Sequence, residues 1–256
     1  MSVFNKVLAS IGIGSTTVDT VLEKDTFRPG DTVNGSVKVQ GGSVPQKVDE
    51  IYLTINTTYV KEHDDRKFNQ VAAINRIRIN EPFEIQPNEN RDIPFTFTLP
   101  LETPVTSGKT KVWVSTGLDI KNAVDPTDED FIKVEPNQLV SATFSALADL
   151  GFKLRNANCE EAPYRFRNKV PFVQEFEFVP YSGSYRGRLD ELEVLFFLKN
   201  KDEAEVIFEV DRRAKGLAGL FAEALDADET LVRSFINTSD IPSLKGKLDN
   251  LISRYV

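Results

Sequence analysis

The chain has 256 residues, 40% hydrophobic and 27% charged, a globular composition with enough apolar side chains for two ordinary domains. A formal net charge of -8, with no basic block, argues against nucleic acid as a partner, because gripping a phosphate backbone requires a basic face that releases counterions. A single cysteine, Cys159, leaves no intrachain disulfide and favours a reducing compartment.

At the N-terminus, Phe4, Val7, Leu8 and Ile11 follow the i, i+3, i+4, i+7 rule of a short amphipathic helix. Lys6 is the only basic residue of that stretch, so packing on a domain is expected ahead of contact with an anionic membrane. Met1 to Ser15 lacks a basic region followed by a long apolar run, and nothing in the chain approaches the ~18 apolar residues of a membrane span, so a cytoplasmic location is expected.

Two-residue alternation then dominates, the pattern of strands with one face buried. Val33, Gly35, Val37 and Val39 alternate with Asn34, Ser36 and Lys38; Ile51, Leu53 and Ile55 alternate with Thr54 and Asn56; Phe95, Phe97 and Leu99 alternate with Thr96 and Thr98. Arg28-Pro29-Gly30-Asp31, Gly41-Gly42, Gln86-Pro87-Asn88 and Ser107-Gly108 supply turn chemistry between them. From Ala123 to Asn137 the run Asp125-Pro126-Thr127-Asp128-Glu129-Asp130 and then Glu135-Pro136-Asn137 reads as a solvated linker. Alternation resumes at Leu192, Val194, Phe196 and Leu198 and at Val206, Phe208 and Val210, joined by a turn at Asn200-Lys201-Asp202. Leu217, Leu220, Phe221 and Ala224 fit a second helix. A third is expected at the C-terminus, capped by Ser239 or Asp240, with Leu244, Leu248, Leu251 and Tyr255 on one stripe.

Several longer stretches resemble one family. Gly12-Ile13-Gly14, Val18-Asp19-Thr20, Leu22-Glu23-Lys24-Asp25, the Pro29-Gly30 hairpin, Gly41-Gly42, Trp113 to Ile120, Pro171 to Phe178, and Asp211-Arg212-Arg213 with Gly216-Leu217 are similar to the bacterial stage-zero sporulation-control family, member M. The resemblance implies an arrestin-like arrangement, a cytosolic location, and control of sporulation through contacts with other cytosolic proteins. The expected architecture is therefore all-β, two antiparallel β-sandwich domains in an arrestin-like arrangement with short terminal helices. Residues 1–128 form the first sandwich with its leading helix, 129–238 the second, and 239–256 the C-terminal helix. The resemblance brings no catalytic motif, and self-association is one of the contacts it leaves open.

The residues themselves point away from enzyme chemistry. His63 is the sole histidine, in a charged turn, and no Gly-x-Ser-x-Gly elbow accompanies it. Cys159 and His63 are too few for zinc, the acids of 125–130 do not follow an EF-hand, and no phosphate loop appears, so neither metal nor cofactor is expected. In an extended Tyr164-Arg165-Phe166-Arg167-Asn168-Lys169-Val170, Arg165, Arg167 and Lys169 would share one strand face as a candidate site for an acidic or phosphorylated partner. Cross-strand pairing with Glu175 and Glu177, or simple solvation, is the structural alternative. Asp211, Arg212 and Arg213 are candidate interdomain residues, with Asp119 or Asp130 as the acids they would meet.

Overall fold

The computed structural model describes residues 15–64, 66–120, 125–167, 169–211 and 231–255. In the first half, β1 (Thr17–Leu22), β3 (Thr32–Gln40) and β7 (Asn90–Thr98) form an antiparallel sheet in the order β1-β3-β7. Facing it are β4 (Gln46–His63), β8 (Val112–Ile120), β9 (Thr127–Val134) and the short β2 (Thr26–Phe27), with β5 (Arg66–Arg78) and β6 (Phe83–Ile85) paired to β4. The alternation dictates what lies between the sheets: Val33, Val37 and Val39 from one, Ile51, Leu53, Ile55, Val114 and Leu118 from the other, all buried in one cluster. Gly35 is required by close approach, since a Cβ there would stand 2.5 Å from the Val21 carbonyl oxygen and 2.6 Å from the Phe95 ring. Gly30, at φ +87°, completes the hairpin turn in which the Asp31 amide donates to the Arg28 carbonyl at 2.9 Å.

The second half begins with α1 (Gln138–Asp149) and continues as a meander of β10 (Phe152–Glu161), β11 (Phe172–Pro180), β12 (Glu191–Leu198), β13 (Glu203–Asp211) and β14 (Leu231–Asn237), followed by α2 (Leu244–Ile252). A separate core holds Leu139 and Leu147 of α1 and Leu244, Leu248 and Ile252 of α2 against Phe176, Phe178, Leu192, Val194, Val206 and Phe208 of the sheet. One parallel pairing, Glu160 with Val60, carries the ladder from β10 into β4, so strands of both halves run into one long sheet.

The all-β, antiparallel reading holds, with differences in detail. Among the described residues of the second half, the layer facing the sheet is helical, built by α1 and α2. The division between residues 128 and 129 falls inside β9, which pairs with β8 from Gly117↔Thr127 to Val112↔Ile132. The acidic run is therefore strand rather than linker. Two of its charges are tied to backbone donors: the Ile120 amide donates to Asp125 at 3.0 Å and the Thr20 amide to Asp128 at 2.8 Å. At the C-terminus the cap lies earlier than expected. Asn237 accepts from the Ser239 amide, and Asp240 accepts from the Asn237 amide at 2.9 Å, opening a 3-10 turn over Thr238–Ser243 ahead of α2. Leu244 and Leu248 are buried, whereas Tyr255 is exposed. The helices expected at Phe4 to Ile11 and at Leu217 to Ala224 lie outside the described residues.

Candidate interaction cleft

A cleft of about 500 Å³ opens where the loop 101–105 of the first half meets one end of the second sheet. Its origin is an incomplete ladder. β11 and β12 pair over four positions, from Phe178↔Leu192 to Glu175↔Leu195, and the pairing stops there. Phe172–Gln174 continue to pair with β10, and Phe196–Leu198 with β13, so two strands of the same sheet separate and the cleft lies between them. Gln174 clamps the loop of the first half to this opening: its side-chain oxygen accepts from the Val105 amide at 2.8 Å and its side-chain amide donates to the Val105 carbonyl at 2.7 Å.

The lining is apolar within and cationic at the rim. Val105, Val140, Phe172, Phe176 and Leu195 supply the interior, and Phe166 stacks on Phe197 with ring centroids 5.6 Å apart. Arg167, Lys169, Lys199 and Arg233 stand around it with side chains 47–71% exposed, within reach of a macromolecule. Arg167 bonds Glu161 and the Ala162 carbonyl, Lys169 meets Glu102 at 2.8 Å, and Glu205 is shared by Lys199 at 3.2 Å and Arg233 at 3.4 Å. The Glu102 carboxylate raises the Lys169 pKa and keeps the ammonium charged. Two lining residues are at least nine-tenths buried and have an atom without a hydrogen-bond partner among the described residues: the Thr103 hydroxyl and the Asn137 side-chain amide nitrogen. Asn137 uses its oxygen elsewhere, accepting from the Val140 amide at 2.9 Å as the N-cap of α1.

Two of the three cations expected to bind a partner thus meet at the cleft, by a different route. Residues Tyr164–Phe166 form a 3-10 turn, so Arg165, Arg167 and Lys169 do not share a strand face; the side chain of Arg165 is not described. Proline at 163 starts that turn, and the Arg167 amide donates back to the Pro163 and Tyr164 carbonyls. Among the described residues, Arg167 and Lys169 pair with Glu161 and Glu102 rather than with Glu175 and Glu177. Glu177 and Glu191 both engage Arg155, and Glu175 is buried beside Glu193. Burial, reinforced by Glu193, Glu160 and Glu209, pushes the Glu175 carboxyl well above the carboxylate range, and in its protonated form it donates to Glu193.

Of the interdomain candidates, Asp211, Asp119 and Asp130 lie among the described residues. Arg212 and Arg213 lie outside the described residues, and Asp211 ends β13. Asp119 is exposed on β8. Asp130 stands beside Asp128 and Asp19, and burial together with those charges pushes its carboxyl up to about 6. Its described charged neighbours all belong to the first half. His63 and Asp64 stand 3.5 Å apart, both exposed, at the β4–β5 turn. Among the described residues there is no group of three or more metal-ligating side chains, and no helix is long and apolar enough to cross a membrane.

A β-rich chain with two hydrophobic cores and an open cleft between strands is the class of protein this geometry defines. The chain belongs to the family described as SpoOM protein, whose model matches residues 4–214. It is 47% identical to the sporulation-control protein spo0M of Bacillus subtilis strain 168 over 258 aligned positions, covering 100% of this chain and 99% of that one. The crystal structure of Spo0M from the same organism superposes with a TM-score of 0.87 at 44% identity, covering 95% of this chain and all of the other.

Lys199, Arg233, Thr103 and Asn137 were not found by reading the sequence. Lys199 and Arg233 are far apart in the chain and converge only through the β12-β13-β14 ladder, where Arg233 lies opposite Ile207 and Ile207 opposite Leu195. Asn137 did carry a signal, a capping residue directly after a proline and before an apolar run.

Proposed function

We propose that this chain is a non-catalytic cytoplasmic regulator that controls sporulation by binding other proteins, its two units serving as an arrestin-like scaffold. The observation that carries this reading is the cleft: exposed cations circle an apolar interior, with unpartnered polar groups below, which is chemistry for holding a segment of another protein. The relative's name as a sporulation-control protein supplies the process.

The test is a photo-crosslinking amino acid placed at Lys169 or Lys199 on the rim and, for contrast, at Lys38 on the β3 strand of the other sheet, in sporulating cells. Discrete adducts from the rim positions alone, with a change in spore yield when Lys169 and Arg233 are reversed to glutamate, are expected. Adducts equally frequent at Lys38, or unchanged spore yield in the reversed variant, would rule the reading out.

A further inference from the structure

We infer that the cleft takes an extended, acidic segment of a partner protein as an added strand between β11 and β12. This rests on the partner-binding reading and specifies the chemistry of the partner.

The backbone supplies the first argument. The Lys199 amide donates to the Glu203 carbonyl at 2.9 Å, which makes that pair a hydrogen-bonded one in the β12–β13 ladder. Alternate residues of an antiparallel strand turn their N–H and C=O groups to opposite sides, so Phe197 and Lys199 face β13 while Phe196 and Leu198 face β11. Beyond Leu195 the β11 ladder no longer meets them. Main-chain donors and acceptors on a half-buried strand require partners, and an inserted peptide backbone provides them in the geometry of a sheet.

Side chains supply the second. A strand between β11 and β12 presents successive residues to opposite faces of the sheet. One face offers Phe176, Phe196 and Leu198; the other offers Val173, Leu195 and Phe197. Both sides accept apolar groups.

Charge decides the rest. Among the described residues the four rim cations face three carboxylates, because Glu205 is divided between Lys199 and Arg233. The excess positive charge and the guanidinium forks of Arg167 and Arg233 favour carboxylate side chains on the incoming segment. Thr103 and Asn137 line the same cleft, each with a buried polar atom that has no hydrogen-bond partner among the described residues.

The experiment uses the full chain and two fluorescein-labelled decapeptides, one alternating Glu and Val, the other Lys and Val. Fluorescence polarisation is expected to show the Glu peptide binding at least about tenfold more tightly, with the K169E/R233E variant losing that preference. Amide exchange followed by NMR gives a readout of the backbone. In the free protein the Phe196 and Leu198 amides should exchange faster than that of Phe197, and the Glu peptide should slow them at least about tenfold with Phe197 little changed. Far-ultraviolet dichroism of the variant, matching the wild type, excludes misfolding as the cause.

Equal binding of the two peptides, or binding without protection of Phe196 and Leu198, overturns the inference. If the Glu peptide fails while rim crosslinks still capture a partner in cells, the strand chemistry falls and the partner-binding reading stands. If both fail, both fall.

Discussion

Gln174 pairs with the backbone of Val105 in both directions, donating to its carbonyl at 2.7 Å and accepting from its amide at 2.8 Å. One side chain thereby does for the loop of the first half what a neighbouring strand would do, and it fixes one wall of the cleft. Gln174→Ala leaves the Val105 N–H without this acceptor, while the Val105 carbonyl keeps the Ser107 amide at 2.9 Å, and should lower stability by about 1–3 kcal/mol. Thermal unfolding and exchange at the Val105 amide check this. Unchanged stability with the Val105 amide still protected would show that the loop is held by its other contacts.

Much of the fold was legible because strands with one buried face write their geometry into the sequence. β3, β4, β12 and β13 appear where Val33-Val37-Val39, Ile51-Leu53-Ile55, Leu192-Val194 and Val206-Phe208-Val210 alternate. Two elements were hidden by their composition. β9 reads as a loop because Asp128, Glu129 and Asp130 follow Pro126 in an unbroken acidic run, and it is a strand because β8 offers it a ladder. α1 has helical spacing at Leu139, Val140, Thr143, Ala146 and Leu147, overshadowed by the Pro136 that precedes its cap. The cleft was not legible at all, since it depends on where one ladder stops, and that is set by tertiary contacts such as Gln174 with Val105.

Gly35 tests how closely the strands of the β1-β3-β7 sheet approach one another. A methyl group at this position would fall 2.5 Å from a main-chain oxygen of β1, which no side-chain rotation can relieve. Gly35→Ala should therefore cost about 1–3 kcal/mol, as overpacking in a closed core does, even though alanine suits a strand better than glycine. A chemical denaturation midpoint equal to the wild type would mean that β1 and β3 shift apart freely.

The buried carboxyls of the second sheet give stability a pH dependence of unusual sign. Because burial raises the folded-state pKa of Glu175 above its ordinary value of 4.5, the native state holds a proton that the unfolded chain releases. Its contribution is fully present below the unfolded pKa and is lost as pH rises through the folded one. Glu175→Gln fixes the protonated shape without a titrating group. The variant should match the wild type near pH 4 and exceed it in Tm at alkaline pH. Parallel Tm curves for the two proteins between pH 4 and 9 would place the titration elsewhere.

Asn137 has two roles that substitution can separate. Its side-chain oxygen caps α1 through the Val140 amide, and its side-chain nitrogen is buried at the cleft wall without a hydrogen-bond partner among the described residues. Asn137→Ala removes both, and loss of the cap should cost about 0.5–2 kcal/mol. Asn137→Asp keeps an accepting oxygen for Val140, so the helix should remain close to wild-type stability, while the cleft gains a carboxylate where it had a donor. If the cleft receives acidic segments, Asn137→Asp should weaken the Glu–Val peptide several-fold without the stability loss seen for alanine. Equal affinity in the aspartate variant would separate Asn137 from the binding surface and leave it a helix cap alone.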